Sequence, residues 1–354
     1  MNVFDKMEEM EHEQLMFFSD KETGLKGIIG IHNSVLGPAL GGTRLWRYAN
    51  EQEAIEDVLR LSRGMSFKSS ISGIHLGGGK AVIIDNPQAK KDEAFWRSYG
   101  KFVDNLGGKY ITAEDVGTNT QFIEYISRET GHVAGKPEYL GGGGDPSPVT
   151  AYGVYLGMKA AQKQLSGSDS LKGKKILVQG VGSVGQYLID YLVKEEAKIS
   201  IADINQTNIA SVSLKHEVDV IDPNQVYDAD MDIYAPCALG ATLNDNSIPK
   251  LKCSVVAGAA NNQLADERKH GDMLRDRGII YAPDFLINAG GVINCYIETV
   301  GYNRSRAMAA TEKIYDQTAA ILTIAAQNAK NSQEVALEMA MKRIEDIGKI
   351  RQRR

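Results

Sequence analysis

A chain of 354 residues, 43% hydrophobic and 24% charged, is long for one core and divides by ordinary domain size into two. Its 40 basic and 45 acidic side chains give a formal charge of −5 without a basic face, which excludes a nucleic-acid surface. The one basic run, Arg351, Arg353 and Arg354, reads as a solvated end. The acidic start MNVFDKMEEMEHEQ lacks the order of a signal peptide, and no stretch approaches the ~18–20 apolar residues of a membrane span. Cys237, Cys253 and Cys295 are too few and too scattered for a disulfide framework, so a cytoplasmic setting is expected.

Short apolar runs alternating with helical patterns predict α/β layers. In the first half, strands are expected at Leu25 to His32, Lys80 to Ile84 and Lys109 to Thr112. A helix opens at Asn50 with Glu53 as its capping-box partner, and Ala54, Ile55, Val58 and Leu59 recur at helical spacing. A second helix, from about Asp92 to Leu106, turns Phe95, Tyr99, Phe102, Val103 and Leu106 to one side. GGGGDPSP, Gly141 to Pro148, can continue neither element, so a loop and a hinge between domains belong there. After a helix from about Val149 to Leu165 come strand Lys175 to Gln179, helix Val184 to Lys194, strand Lys198 to Ala202 and helix Thr207 to Lys215. Strands follow at Asp232 to Ala235, Ser254 to Ala257 and Ile279 to Tyr281. From about Ser305 the pattern is helical, with Ile314, Ile321, Ile324 and Ala325 on one stripe that Thr318 interrupts. The first domain is drawn at 1–140 plus 330–354, the tail packing back on it, and the second at 141–329.

The run KKILVQGVGSVGQYLID places a strand before Gly180, Gly182 and Gly185 and a helix after them. That context raises a weak glycine triplet to a dinucleotide-binding pattern. Gly180 permits the tight turn, Gly182 admits a pyrophosphate to the backbone, and Gly185 lets helix and strand pack. The amides of Ser183 and Val184 and the positive helix end would face the phosphates. Asp203 ends the next strand 18 residues after Gly185, where its carboxylate can accept ribose hydroxyls and repel a 2′-phosphate. No arginine follows in ADINQTN, so the cofactor expected is NAD rather than NADP. The other reading is a glycine turn of a different α/β protein, with Asp203 as a helix cap.

In the first half, Lys68 ends LSRGMSFK and Lys80 ends IHLGGGK just before the apolar run AVII. Three glycines beside Lys80 would let a ligand approach the backbone. At the mouth of an apolar strand, and near a second cation at Lys68, its pKa falls toward that of a general base. An exposed turn lysine is the alternative. A phosphate-cradling loop is excluded by Ile74 and Ala81. Asp115, in ITAEDVGT at the end of a strand, could exchange protons with these lysines or serve only as a turn former or cap. His12, His32, His75, His132, His216 and His270 are too dispersed for a metal site, and no G-x-S-x-G elbow is present.

The segments GPALGGTRLW, EAIEDVLRLSRGMSFK, LGGGKAVI, TAEDVGT, PSPVTAYGVYLGMKAA, APCALGATLND, VAGAANNQL and YAPDFLINAGGVIN occur in order over nearly the whole chain. In them the chain resembles the Glu/Leu/Phe/Val dehydrogenase family, most closely its leucine-acting members. The resemblance implies an α/β protein of two domains. The N-terminal one is catalytic and oligomerising, and the other is an NAD-binding Rossmann domain. It implies Lys80 as the base that activates water, Lys68 as the partner of the substrate carboxylate and Asp115 as the group exchanging protons with the amine. Gly42 and Met65 would line the substrate region, Asn262 and Asn288 would position substrate or nicotinamide, and Thr150 would orient the nicotinamide amide.

The reaction implied is reversible oxidative deamination of an L-amino acid to the 2-oxo acid and ammonium. Leu40, Ala113 and Val292 match an apolar side-chain pocket, which favours a branched aliphatic substrate over glutamate. Cys295 stands where leucine-acting relatives carry valine, leaving valine, isoleucine, phenylalanine and tryptophan open. Ser66 and Phe67, for Thr and Tyr, are milder departures. The partners implied are the small-molecule substrate and copies of the chain itself, in a homo-oligomer up to an octamer, with no nucleic acid or membrane. A catalytically silent NAD-binding protein is the contrasting reading.

Overall fold

The computed structural model describes residues 2–351 and opens with a short helix, α1 (Val3–Glu9), capped by Asn2. Arg353 and Arg354 of the basic end lie outside the described residues. Strands β1 (Gln14–Asp20), β2 (Leu25–Asn33), β3 (Ala39–Trp46), β4 (Gly77–Ile84) and β5 (Tyr110–Glu114) form one mixed sheet in the order β1-β2-β4-β3-β5. β2 runs antiparallel to β1 and β4, while β3 is parallel to β4 and β5.

Helix α2 (Glu51–Ile71) covers one face of this sheet, burying Ala54, Ile55, Val58 and Leu59 against Ile28 and Val82. Its cap is the one the sequence predicts, with a difference. Asn50 accepts from Glu53 N at 3.0 Å, but the Glu53 carboxylate reaches back to Ala49 N at 2.9 Å, one residue before the cap. On the other face, α3 (Glu93–Asp104) and α4 (Thr120–Ser127) bury Phe95, Trp96, Tyr99, Val103, Ile123 and Ile126 against Ile29, Ile31, Ala81 and Ile83. The strand period of two thus sorts odd and even residues of β2 and β4 into two separate cores.

Helix α5 (Ser147–Ser166) leads into a second sheet. Its strands are β6 (Lys175–Gln179), β7 (Lys198–Ala202), β8 (Asp219–Val220), β9 (Ile233–Pro236), β10 (Val255–Val256) and β11 (Ile280–Tyr281). Every pairing is parallel, in the order β11-β10-β9-β6-β7-β8. Counted along the chain this is 3-2-1-4-5-6, a doubly wound sheet whose order reverses between β6 and β9. The intervening helices are α6 (Ser183–Lys194), α7 (Gln206–Ser213), α8 (Glu267–Asp276) and α9 (Asp284–Ile287), followed by α10 (Gly290–Thr299), α11 (Arg304–Asn328) and α12 (Ser332–Arg351). The helical tail expected from the sequence is two helices, parted where Ala329 takes a left-handed φ of 54°. In α11, Leu322 is buried beside Ile314, Ile321 and Ala325, whereas Ile324 is only half-buried.

The chain forms two units, Met1–Asp145 with Asn294–Arg304 and Ala340–Arg354, and Pro146–Ile293 with Ser305–Met339. The first is therefore assembled from three separate stretches. Bonds of Glu298 and of Arg343 are among the contacts that bind them. The Glu298 carboxylate, 2% exposed, accepts from the amides of Gly135, Lys136 and Gly143 at 2.9, 3.2 and 3.1 Å. The Arg343 guanidinium donates to the carbonyls of Ser70 and Ile74, at 2.9 and 3.0 Å, at the C-terminal end of α2. No helix among the described residues is long and apolar enough to cross a membrane.

Candidate active site

Strand register gathers the first group of candidate residues. Leu40 pairs with Gly78 and Ile111, Gly42 with Ala113, and Gly30 with Lys80. Paired residues point the same way, so Leu40, Gly42, Lys80 and Ala113 share the sheet face on which α2 lies. Met65 and Lys68, both half-buried, sit on α2 three residues apart and thus on one side of it.

Asp115 follows β5 in a tight turn, its N–H donating to Thr118 Oγ1 at 2.9 Å and its carbonyl accepting from Thr118 N at 3.0 Å. The helix beyond is capped by Asn119, so the Asp115 side chain is not spent as a cap. Its Oδ2 lies 2.9 Å from Lys80 Nζ, a lysine side chain only 6% exposed. Arg44 Nε donates to the same oxygen at 2.9 Å, and Arg44 Nη1 donates to Asp57 Oδ2 at 3.1 Å. Asp57 also accepts from Tyr48 OH at 2.7 Å and from Arg60 Nη2 at 3.0 Å. Burial holds the Lys80 ammonium below its usual range, against the opposing pull of Asp115. For Asp115 burial acts upward, but the charges of Lys80 and Arg44 outweigh it and keep the carboxylate below its ordinary value.

Two expectations need correction, and one residue of the site carries no signal in the sequence. Lys80 is the fourth residue of β4, not the first. A cation in contact with Asp115, alongside Lys80, is Arg44, which the sequence did not single out. The three glycines also clear no path for a ligand. A Cβ on Gly77 would lie 2.1 Å from Asn33 O, on Gly78 2.0 Å from Ser66 N, and on Gly79 2.8 Å from Tyr110 Cδ2. They let the backbones of α2 and the neighbouring strands touch.

The second unit presents its candidates at the carboxyl ends of its strands, where its strand order reverses. Gly180, at φ 97°, turns the chain out of β6 so closely past β9 that a Cβ would meet Ala238 at 2.7 Å. Gly185 packs α6 on the turn, its Cβ position 2.2 Å from Gly180 O, whereas at Gly182 a Cβ would meet nothing within 4 Å. No side chain caps α6, and its first helical bond is Gln186 N to Gly182 O. The amides of Ser183, Val184 and Gly185 therefore point out of the helix end. Asp203, at the end of β7, accepts from Val181 N at 2.7 Å and Asn205 N at 2.8 Å; the cap of α7 is Asn205.

Along the same edge, Ala241 N donates to Asn262 O at 2.7 Å, with Asn262 in the left-handed region at φ 52° that asparagine tolerates. Asn288 is 5% exposed and donates to Ala259 O and Asn261 Oδ1 at 3.0 and 2.8 Å, while its Oδ1 accepts no bond. Thr150, on α5, lies against α10, since a Cβ on Gly291 would meet Thr150 Oγ1 at 3.1 Å. Val292 and Cys295 are three residues apart on α10 and share a side of it. Burial, with Glu298 and Glu114 nearby, pushes the Cys295 thiol up to about 12, so it remains protonated near neutral pH. No group of His, Cys, Asp and Glu among the described residues is arranged to hold a metal ion.

The first unit pairs a buried ammonium with a half-buried carboxylate, and the second has the geometry of a dinucleotide fold. Comparison with known proteins gives this class its family. Residues 12–132 match the family model described as Glu/Leu/Phe/Val dehydrogenase, dimerisation domain. Residues 141–209 and 199–348 match that of Glutamate/Leucine/Phenylalanine/Valine dehydrogenase. The chain is 52% identical over 351 residues to leucine dehydrogenase of Thermoactinomyces intermedius, covering 99% of this chain and 96% of the relative. It is 42% identical over 352 residues to phenylalanine dehydrogenase of Bacillus thermotolerans, covering 98% and 91%. The crystal structure of L-tryptophan dehydrogenase from Nostoc punctiforme superposes with a TM-score of 0.86 at 42% identity, covering 97% of this chain and 99% of that one. The chain belongs to the Glu/Leu/Phe/Val dehydrogenase family. It is an amino-acid dehydrogenase, an oxidoreductase.

Proposed function

We propose that this enzyme catalyses the reversible, NAD-dependent oxidative deamination of a branched aliphatic L-amino acid, leucine above others. The observation that carries the reading is the contact of buried Lys80 with Asp115, 2.9 Å apart, with Lys80 on a sheet face shared with Leu40, Gly42 and Ala113.

The second unit fits a dinucleotide. It offers an uncapped helix end, an open position at Gly182, and an Asp203 carboxylate with acceptor capacity beyond its two backbone bonds. Gly180, Gly182, Ser183, Val184 and Gly185 would hold the pyrophosphate, Asp203 the ribose, and Thr150, Asn262 and Asn288 the nicotinamide end. The unsatisfied Oδ1 of Asn288 supports its place in that set. When bound, the cofactor accepts the hydride from the substrate α-carbon.

In this reading Lys68 pairs with the substrate carboxylate as a compact cation, beside Met65 and Gly42. Lys80, its ammonium disfavoured by burial, takes the proton of the water that adds to the iminium carbon. Asp115, held ionised, exchanges a proton with the amine nitrogen so that ammonia can leave. Leu40, Ala113 and Cys295 supply the apolar surface for the substrate side chain, which carries no charge to meet a glutamate. An aromatic substrate is the second reading, favoured by identities of 44% and 42% to a tryptophan and a phenylalanine dehydrogenase. We assign a cytoplasmic setting and a homo-oligomer built through the first unit, whose match to a dimerisation domain is the support.

Assay of a panel of L-amino acids with NAD and NADP, followed by NADH absorbance, tests the assignment. Leucine should give the highest kcat/KM, and glutamate the lowest, with NAD strongly preferred. A preference for tryptophan or phenylalanine would overturn leucine, and absence of turnover on the whole panel would overturn the activity. Asp203→Ala should raise KM for NAD by about tenfold or more, since a charge-assisted bond contributes ~1.5–3 kcal/mol. Asp203→Asn, which can still accept from Val181 N, should mainly narrow the preference over NADP. An unchanged NAD/NADP ratio in both variants would remove the ribose contact.

A further inference from the structure

We propose that Arg44 is a positioning residue of the reaction centre: clamped between Asp57 and Asp115, it holds the Asp115 carboxylate by one oxygen and supplies the positive field that favours Lys80 as a free amine. This rests on the roles given above to Lys80 and Asp115.

The geometry is that of a bridge. A planar guanidinium offers donors on two edges, and here Nε takes Asp115 Oδ2 while Nη1 takes Asp57 Oδ2. Asp57 is fixed in turn by Tyr48 and Arg60, so Arg44 is oriented from its far side. Both Lys80 and Arg44 bond Oδ2 of Asp115, and Oδ1 takes part in neither contact. A proton carrier with one oxygen tethered and the other clear has a defined direction of transfer. A lysine could not replace this bridge, because its ammonium is a single point of charge rather than a fork.

The charges alternate along the line, with Lys80 positive, Asp115 negative, Arg44 positive and Asp57 negative. Arg44 acts to lower the Lys80 pKa and Asp57 to raise it, both by charge alone. The groups facing this centre are Arg44 on β3, Tyr48 in the loop after it, Asp57 and Arg60 on α2, and Asp115 after β5. Lys68 lies further along α2. On β2 the titratable residue of the shared face is His32, which is engaged with Ser66 Oγ at 2.7 Å and held near 3 by burial, by His12 and by Arg63. It is therefore neutral where the enzyme would work.

The signs of two substitutions follow. Removing the cation makes protonated Lys80 and protonated Asp115 both easier to form, so the acid limb of kcat/KM moves to higher pH. Removing the Asp57 charge acts on Lys80 in the opposite sense, and that limb moves to lower pH. The test is the pH profile of kcat/KM and kcat for amino-acid oxidation with NAD. Arg44→Met should move the acid limb up by about 0.5–1 unit and lower kcat by about 10–100-fold, leaving KM for NAD unchanged. Arg44→Lys should return the limb toward its original position without restoring kcat. Asp57→Asn should move the limb down. Arg44→Gln gives the same readout as Arg44→Met should the latter not accumulate as folded protein. Limbs that stay within about 0.2 unit, or that move the same way in the Arg44 and Asp57 variants, overturn the proposal. Lys80→Ala, measured alongside, separates the two failures. Retained turnover in it removes the underlying reading, whereas an inactive Lys80→Ala with unmoved limbs removes the role of Arg44 alone.

Discussion

Lys80→Ala is expected to lower kcat by about 10²–10⁴-fold, the usual worth of a positioned general base, while NADH binding followed by fluorescence changes little. The change takes away the amine that would receive the proton of water, and it leaves the residues assigned to the cofactor unchanged. It also strands no buried charge, because Asp115 keeps Arg44 as a partner at 2.9 Å. Loss of activity with retained fold and cofactor binding is therefore the expected pattern, and small primary amines added to the assay should restore part of the rate. Turnover within about tenfold of the parent would sink the base assignment.

Gly78→Ala should have a large effect on stability. The added methyl carbon would lie 2.0 Å from Ser66 N and 2.3 Å from Ser66 Oγ, so α2 must lift from β4. Overpacking against backbone costs about 3 kcal/mol or more, because no rotamer change relieves it. At about 2–4 °C per kcal/mol for a unit of this size, the first thermal transition should fall by roughly 6–12 °C. Calorimetry gives the midpoint, and the same protein assayed at low temperature gives the activity. Both should drop, since α2 carries Asp57, Met65 and Lys68 while β4 carries Lys80. An unshifted midpoint would show that α2 and β4 do not pack as closely as their backbones indicate.

Much of this molecule is readable from its sequence, and the pattern of what is not has physical causes. The turn at Gly180, Gly182 and Gly185 is legible because strand, turn and helix are contiguous, and Gly185 is held small by the neighbouring Gly180 carbonyl. Helix α2 is legible from Asn50, Glu53 and an apolar stripe within two turns. β3 is not, because Gly41 and Gly42 depress strand propensity and their reason for being there is supplied by other strands. A Cβ on Gly41 would lie 1.8 Å from Gly79 O, and on Gly42 2.2 Å from Glu114 O. β8 is two exposed residues, Asp219 and Val220, too short a run to stand out. The same distinction runs through the candidate site. Lys68, Lys80 and Asp115 stand in recognisable motifs, but Arg44 finds Asp115 71 residues away and Asp57 13 residues away. No periodicity encodes such a meeting. Its only local trace is that Arg44 lies two residues after Gly42, on the same face of β3. The glycines before Lys80 show the reverse error, where a correct motif invites the wrong steric reason.

The three-part construction of the first unit has a consequence for the order in which a nascent chain can settle. Its sheet leaves the ribosome first, yet the amides of Gly135, Lys136 and Gly143 wait more than 150 residues for Glu298. The carbonyls that end α2 wait longer still, until Arg343 has been synthesised. The first unit is thus completed after the second, its helix beside Lys80 meeting Arg343 only once Met339 has ended the other unit. Trimming or blocking the C-terminus should accordingly loosen that helix and leave the dinucleotide-type sheet, whose strands end at Tyr281, with its own pairings intact.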